Sequence, residues 1–271
     1  MGLSGSSNRP SPSRRQCPGI MTRGGTVTDH DDRSRLARDT TRVLARLRAE
    51  RPRVHCLTNK RQMQLTANLL LAAGAVPSMT MDAREMPAFV ETSRALLVNL
   101  GMLDPWREAA IPVAIEAAHG LGRPWVLDPV KVDRAPGRRA FASSLLERGP
   151  AVLRCNAAEA EMLEPGPGIV TAVTGAADRI SGGGREIGLG GGTALMDRVT
   201  AMGCAASALV AACLAVEPDP FLATVSGLLV MKVAGAIAAE SAAGPGSFVP
   251  LFLDAVHGLD AATLQRRAEL A

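Results

Sequence analysis

The chain has 271 residues, 47% of them hydrophobic and 21% charged, which is enough apolar content to bury a core and excludes disorder of the whole. Its net charge of +4 equals the contribution of Arg9, Arg14, Arg15 and Arg23, which stand in an acid-free stretch over residues 1–28, so the rest of the chain is neutral. A basic excess confined to a Ser/Pro/Gly-rich segment without aromatic residues is no nucleic-acid footprint, and five cysteines without a Cys-x-x-Cys pair exclude a disulfide framework and a structural zinc site.

Residues 1–35 lack the apolar core of a secretory signal and read as a disordered extension, or as sequence ahead of a true start at Met21; the folded domain is expected over residues 36–271. Residues 38–48, with Val43, Leu44 and Leu47 at helical spacing among arginines, predict an amphipathic helix. A short strand is expected over 54–57, then a helix over 62–73 carrying Leu65, Leu69 and Leu70. A buried strand over 95–100 follows, then a helix over 106–121 and a strand over 124–127 that stops at Asp128-Pro129. Residues 140–147 read as helix, 151–155 as strand, 157–163 as a helical piece and 169–173 as strand. Short apolar strands alternating with helices imply crossover units and a largely parallel sheet, so the fold class is α/β. Beyond Gly175, the Gly-rich stretch 178–192 suits a hairpin, and helices are expected over 202–216, 220–243 and 248–259. The longest run of small apolar residues, 205–216, falls well short of the roughly 20 that span a bilayer. Neither a membrane nor a nucleic acid is expected as a partner, and the expected location is the cytoplasm.

Three places carry chemistry. Val199-Thr200-Ala201-Met202-Gly203-Cys204 opens an Ala-rich helix, where unpaired first-turn N–H groups and the positive dipole end can hold an anion and favour a thiolate. Spacing alone also allows Cys204 to be a small packing residue. Asp128 ends a strand where ligands of open parallel sheets bind, and a carboxylate there can hold a hydrated Mg²⁺; a turn aspartate before proline is the other reading. Arg154-Cys155-Asn156-Ala157-Ala158-Glu159 repeats the arrangement with a phosphate-seeking guanidinium, an amide and a carboxylate. The glycine runs at 182–184 and 190–192 fit neither phosphate-loop spacing and read as hairpin loops. His55, His119 and His257 read as structural.

Taken in order, further stretches join these. They are Val54-His55-Cys56-Leu57-Thr58-Asn59, Leu65-Thr66-Ala67-Asn68-Leu69-Leu70-Leu71-Ala72-Ala73-Gly74-Ala75, Pro77-Ser78-Met79, Val126-Leu127-Asp128-Pro129-Val130, Ala172-Val173-Thr174-Gly175 and Gly244-Pro245-Gly246-Ser247-Phe248. Over roughly residues 38–259 the set resembles hydroxyethylthiazole kinase, a ribokinase-like family of thiamine salvage. The resemblance implies a three-layer fold, ATP as co-substrate and Mg²⁺. It also implies a homotrimer with the thiazole alcohol bound between subunits. It places Arg154, Asn156, Thr174 and Gly203 on the nucleotide, and Asp128 and Glu159 on the metal. Met79, Asn59 and Ala201 would border the alcohol, with Cys204 where sugar-kinase cousins have an aspartate base. The chain departs from the family pattern at Lys131-Val132-Asp133-Arg134-Ala135 and at Ala201 and Cys155, all places where glycine-bearing sequence is usual. It also departs in the polar residues 60–64 and in a short connection between Glu159 and Ala172 that leaves no room for one outer helix. A non-catalytic thiazole- or nucleotide-binding protein and a kinase for another small alcohol are the competing readings.

Overall fold

The structure, a computed structural model, describes residues 29–271. Residues 1–28, and with them most of the expected extension, lie outside the described residues. Helix α1 spans Asp29–Glu50 and so begins ahead of residue 36, where the domain was expected to start. Apolar periodicity begins only with buried Leu36 and Ala37. Ahead of them Asp31 and Asp32 occupy the first turn, where carboxylates suit the positive dipole end.

Among the described residues, eight strands form one sheet: β1 (Arg53–Leu57), β2 (Val76–Ser78), β3 (Ala95–Asn99), β4 (Trp125–Asp128), β5 (Val152–Asn156), β6 (Val170–Thr174), β7 (Asp178–Gly182) and β8 (Arg185–Leu189). Their spatial order is β2-β1-β3-β4-β5-β6-β7-β8. The pairs from β2 through β6 are parallel and the β7–β8 hairpin closes the edge antiparallel. The register sets Asn99 beside Asp128 and Asn156 beside Thr174. Polar residues at four strand ends therefore gather along one carboxyl edge, where open parallel sheets bind ligands.

Both faces are covered, which is why β3 and β4 are buried at every position and read as continuous apolar runs. Alternate residues feed two cores: Val54, Cys56, Leu97, Val126 and Val152 face one, Leu57, Leu96, Val98, Leu127 and Leu153 the other. The first is shared with α1, α2 (Met63–Ala73), α7 (Met202–Leu214), α8 (Pro220–Ser241), α9 (Pro245–Gly258) and α10 (Ala261–Arg267). The second is roofed by α3 (Met86–Glu91), α4 (Pro105–Gly120) and α5 (Pro136–Leu146).

Helix α7 is buried at every residue from Cys204 to Leu214, as an all-round apolar sequence requires. It is crossed closely by α8, where a Cβ on Gly227 would stand 3.1 Å from the Val210 Cα. Helix α8 is long and apolar enough to cross a membrane, more so than the 205–216 run. However, 83% of that window is buried within the fold, and it carries the ion-paired Lys232, so it is packed as a core helix. Between β5 and β6 the structure holds only α6 (Ala157–Ala160) as regular helix, shorter than the piece expected over 157–163 and in keeping with a lost outer helix.

Candidate active site

The ends of β4, β5 and β6 and the first turn of α7 enclose a cavity of 730 Å³, within the size range of small-molecule sites. Of the residues expected to carry chemistry, Asp128, Arg154, Asn156, Glu159, Thr174, Ala201, Gly203 and Cys204 all line it.

Asp128 is 1% exposed. Its Oδ2 accepts hydrogen bonds from Asn99 Nδ2 at 2.9 Å and from Ser207 Oγ at 2.7 Å, which pins the start of α7 to the end of β4. Burial raises the Asp128 pKa, the charge and hydrogen bonds of Arg154, Ser207 and Asn99 oppose that rise, and the Glu159 charge adds to it. Glu159 is held in a capping box at the start of α6. Its Oε2 accepts the Asn156 N–H at 3.0 Å, its Oε1 accepts the Lys131 N–H at 2.7 Å, and its own N–H donates to Asn156 Oδ1 at 2.9 Å. The Asn156 amide, expected on the nucleotide, thus caps a helix first.

Arg154 stands between these groups. Its Nη1 lies 3.9 Å from Asp128 Oδ2, its Nη2 donates to Thr174 Oγ1, and its Nε is buried without a partner. The Thr174 hydroxyl in turn donates to the Cys155 carbonyl at 3.3 Å. The residue lines the cavity, and a guanidinium there is suited to a phosphate oxygen. Two buried carboxylates set against this one guanidinium leave room for a cation. Among the described residues no cluster of three His, Cys, Asp or Glu side chains could hold a metal.

Cys204 is the third residue of α7 and lines the cavity, as expected, but the expectation of a favoured thiolate is corrected. Burial, reinforced by the Asp128 charge, pushes its pKa up to about 12, against the weaker pull of Asn99 and Arg154. Ala201 caps the helix in the left-handed region, φ 74°, a conformation that costs a residue with a Cβ. Val130 (φ 38°) and Lys131 (φ 63°) are also left-handed, and Lys131 opens the stretch where the resemblance implies glycine-bearing sequence. Arg138 Nη1 holds the Val130 carbonyl at 2.6 Å, and the Lys131 N–H is the donor to Glu159. Of the charged side chains in that replacement, Lys131 lines the cavity, whereas Asp133 and Arg134 pair with each other at 3.2 Å.

Met79 and Asn59 are not brought into this cavity. Met79 is half-buried against the first core. Asn59, 4% exposed, accepts the Arg61 N–H at 3.1 Å and leaves its Nδ2 without a partner. Their chain neighbours Lys60 and Thr80 line a second cavity of 660 Å³ with Met63, Met81, Asp82, Asp104 and Trp106. His55 is fully buried, with Nδ1 3.0 Å from Ser78 Oγ. Sequence reasoning missed Asn99, Ser207 and Lys232. Lys232 lines the large cavity, and its signal was a lone charge inside the long apolar run 220–239.

The Hydroxyethylthiazole kinase family profile matches residues 44–166 and 166–262. A probable hydroxyethylthiazole kinase of Agrobacterium fabrum is 39% identical, over 84% of this chain and 93% of that protein. A hydroxyethylthiazole kinase of Serratia proteamaculans is 40% identical, over 82% of this chain and 94% of that protein. The latter alignment runs to 248 positions, more than 82% of 271 residues can fill, and the profile breaks at residue 166, inside the short β5–β6 connection. The solved hydroxyethylthiazole kinase protein of Pyrococcus horikoshii OT3 superposes with a TM-score of 0.81 at 32% identity, covering 86% of this chain and 98% of that one. A ribokinase-like superfamily protein of Enterococcus faecalis shares the fold, with a TM-score of 0.54 at 12% identity over 77% of this chain and 88% of that one. The chain belongs to the hydroxyethylthiazole kinase family.

Proposed function

We propose that this protein is a kinase that transfers the γ-phosphoryl group of ATP to the hydroxyl of 4-methyl-5-(2-hydroxyethyl)thiazole, serving thiamine salvage in the cytoplasm. The observation that carries the reading is the setting of Arg154. Its guanidinium bridges Asp128 and Thr174 and has a buried donor to spare, within a cavity opening on the amino terminus of α7.

In this reading Arg154, the Thr174 hydroxyl and the amides around Gly203 receive the phosphates, whose oxygens need donors fixed in advance. Asn156 supports that side by capping α6. Asp128 and Glu159 would hold Mg²⁺, which when bound supplies charge neutralisation to the phosphate oxygens. The alcohol oxygen forms the new bond to phosphorus as the bond to the β–γ bridging oxygen breaks, releasing ADP. The hydroxyl proton leaves late in such a loose transition state and passes to an oxygen of the transferred phosphoryl group or to water, so Cys204, a protonated thiol, serves alignment at the α7 corner beside Ala201.

Met79 and Asn59 are assigned to the alcohol from the other side. Their separation from the large cavity supports a homotrimer in which a neighbouring subunit closes the alcohol site. So does Trp106, 75% exposed on the rim of the second cavity. The decisive experiment is ADP release with Mg²⁺ and ATP across a panel of small primary alcohols, alongside light scattering for the mass of the particle. Turnover highest on the thiazole alcohol, in a particle of three chains, is expected. Thiazole binding without turnover would establish the non-catalytic reading, and preference for another alcohol would overturn the substrate.

A further inference from the structure

Lys232 lies in the middle of α8, 7% exposed, in a helix whose one other charged residue is Glu240 in its last turn. An ammonium group has three donors and no acceptor, and here it makes two hydrogen bonds and an ion pair, all to a single loop. Nζ donates to the carbonyl oxygens of Gly175 at 3.0 Å and Ala176 at 2.9 Å, and pairs with Asp178 Oδ1 at 3.2 Å. That same carboxylate oxygen accepts the Gly175 N–H at 3.0 Å, so residues 175–178 are tied both to α8 and to themselves. The loop begins where β6 ends, directly after Thr174, whose hydroxyl accepts from Arg154. On the other side, the aliphatic stem of Lys232 packs under Gly192, where a Cβ would come within 3.0 Å of Cδ at a backbone φ of 85°. Loop 175–178 and Gly192 are both walls of the large cavity.

We propose that Lys232 is a positioning residue for the nucleotide: its ammonium fixes loop 175–178 and thereby the Thr174 hydroxyl that orients Arg154. A buried charge paired this completely is costly to disrupt, yet a core helix needs no lysine for packing. The position yields something an apolar residue of similar length cannot, a loop held in one conformation before ATP arrives. The proposal rests on the nucleotide-binding reading above, and its consequence is specific. Loss of the ammonium should loosen the loop in the free protein and weaken ATP binding more than it slows transfer, because the transferring phosphoryl and the metal-side carboxylates are untouched.

The test uses the full chain with Lys232→Met, and Asp178→Asn as the second variant. Asp178→Asn keeps an acceptor for the Gly175 N–H and removes only the charge, so it can be read even if Lys232→Met does not fold. Amide exchange of residues 174–178 in nucleotide-free protein should quicken about tenfold or more while the sheet core stays protected. The KM for ATP should rise about tenfold with kcat changed by less than about threefold. Unchanged loop exchange in the folded variants overturns the proposal, as does an equal fall in kcat and kcat/KM with KM unmoved. Should the native chain turn over no alcohol, the kinase reading falls by itself. Loop exchange and calorimetric ATP affinity in the same variants still decide the role of Lys232.

Discussion

A Cβ on Gly203 would stand 2.7 Å from Nη1 of Arg154 and 3.2 Å from its Nη2, so the guanidinium occupies the space that a side chain at this helical position would fill. The glycine in the first turn of α7 is thus explained by a neighbouring cation that must lie flat against the helix terminus, and not by an unusual φ. Arg154 and the first-turn amides form one surface of like polarity aimed at the cavity.

Gly203→Ala is therefore expected to displace the Arg154 fork without unfolding the protein, because the clashing atoms are the far end of a flexible side chain. The kcat/KM for ATP should fall by about 10², the usual cost of removing a preorganised electrostatic contact, with circular dichroism and melting temperature nearly unchanged. Wild-type turnover in Gly203→Ala would show that Arg154 does not need its place against α7.

Ala201 supplies the opposite case, a side chain where none is wanted. Its φ of 74° costs an L-residue roughly 1 kcal/mol that glycine avoids, partly offset by the greater freedom of glycine in the unfolded chain. Ala201→Gly should leave stability level or raise it by up to about 1 kcal/mol, a melting shift of about 2–4 °C, and should not lower activity. A drop in melting temperature would mean that the Ala201 methyl is making contacts that outweigh its strain.

The alternation of strands and helices was legible because central strands buried on both faces show unbroken apolar runs, as 95–99 does. Elements too short for periodicity were not legible. The edge strand β2 has three residues and α3 six, and α10 buries only Leu264, beside exposed Gln265 and Arg266. In the site, Asp128, Arg154 and Glu159 were legible as polar residues that end or follow apolar strands, whereas Thr174 came from the family resemblance alone. Ser207 was not, since a small hydroxyl in an Ala-rich helix looks like packing until its bond to Asp128 is seen. The thiolate expected at Cys204 failed because the dipole argument is local, whereas burial depends on the sheet, Asp128 and α8 closing around the sulfur.

His55 provides a pH test of the sheet edge. Its ring, on β1, is fully buried beside Ser78 of β2 and the Phe89 ring, and burial lowers its pKa from 6.5 to about 4. The folded state therefore binds fewer protons than the unfolded one between these values. The contribution of this residue is fully present above pH 6.5 and is lost as pH falls towards 4, by roughly 3 kcal/mol in all. Denaturant midpoints from pH 7 to 4 should fall more steeply for the native chain than for His55→Asn. Parallel pH dependences would show that His55 accepts a proton freely in the fold.

Cys204 decides how the alcohol loses its proton. With a pKa near 12, the thiol is ionised to only about one part in ten thousand at pH 8, so it is neither a ready base nor a reactive nucleophile. General-base loss costs about 10²–10⁴, whereas loss of a neutral thiol that fills space and aligns the alcohol should cost less than about tenfold. Cys204→Ala is thus expected to keep most of its turnover, with the pH–rate profile unchanged in shape between 7 and 9. Alkylation of Cys204 by iodoacetamide at pH 8 should lag well behind that of an exposed thiol. Cys204→Asp brings a third carboxylate towards Asp128 and Glu159, where like charges and burial both oppose ionisation. It should be less active than Cys204→Ala at pH 7 despite offering a nominal base. A loss of 10² or more in Cys204→Ala, with an alkaline limb in the native profile that the variant lacks, would instead make the thiolate the base and place the thiol pKa far below 12.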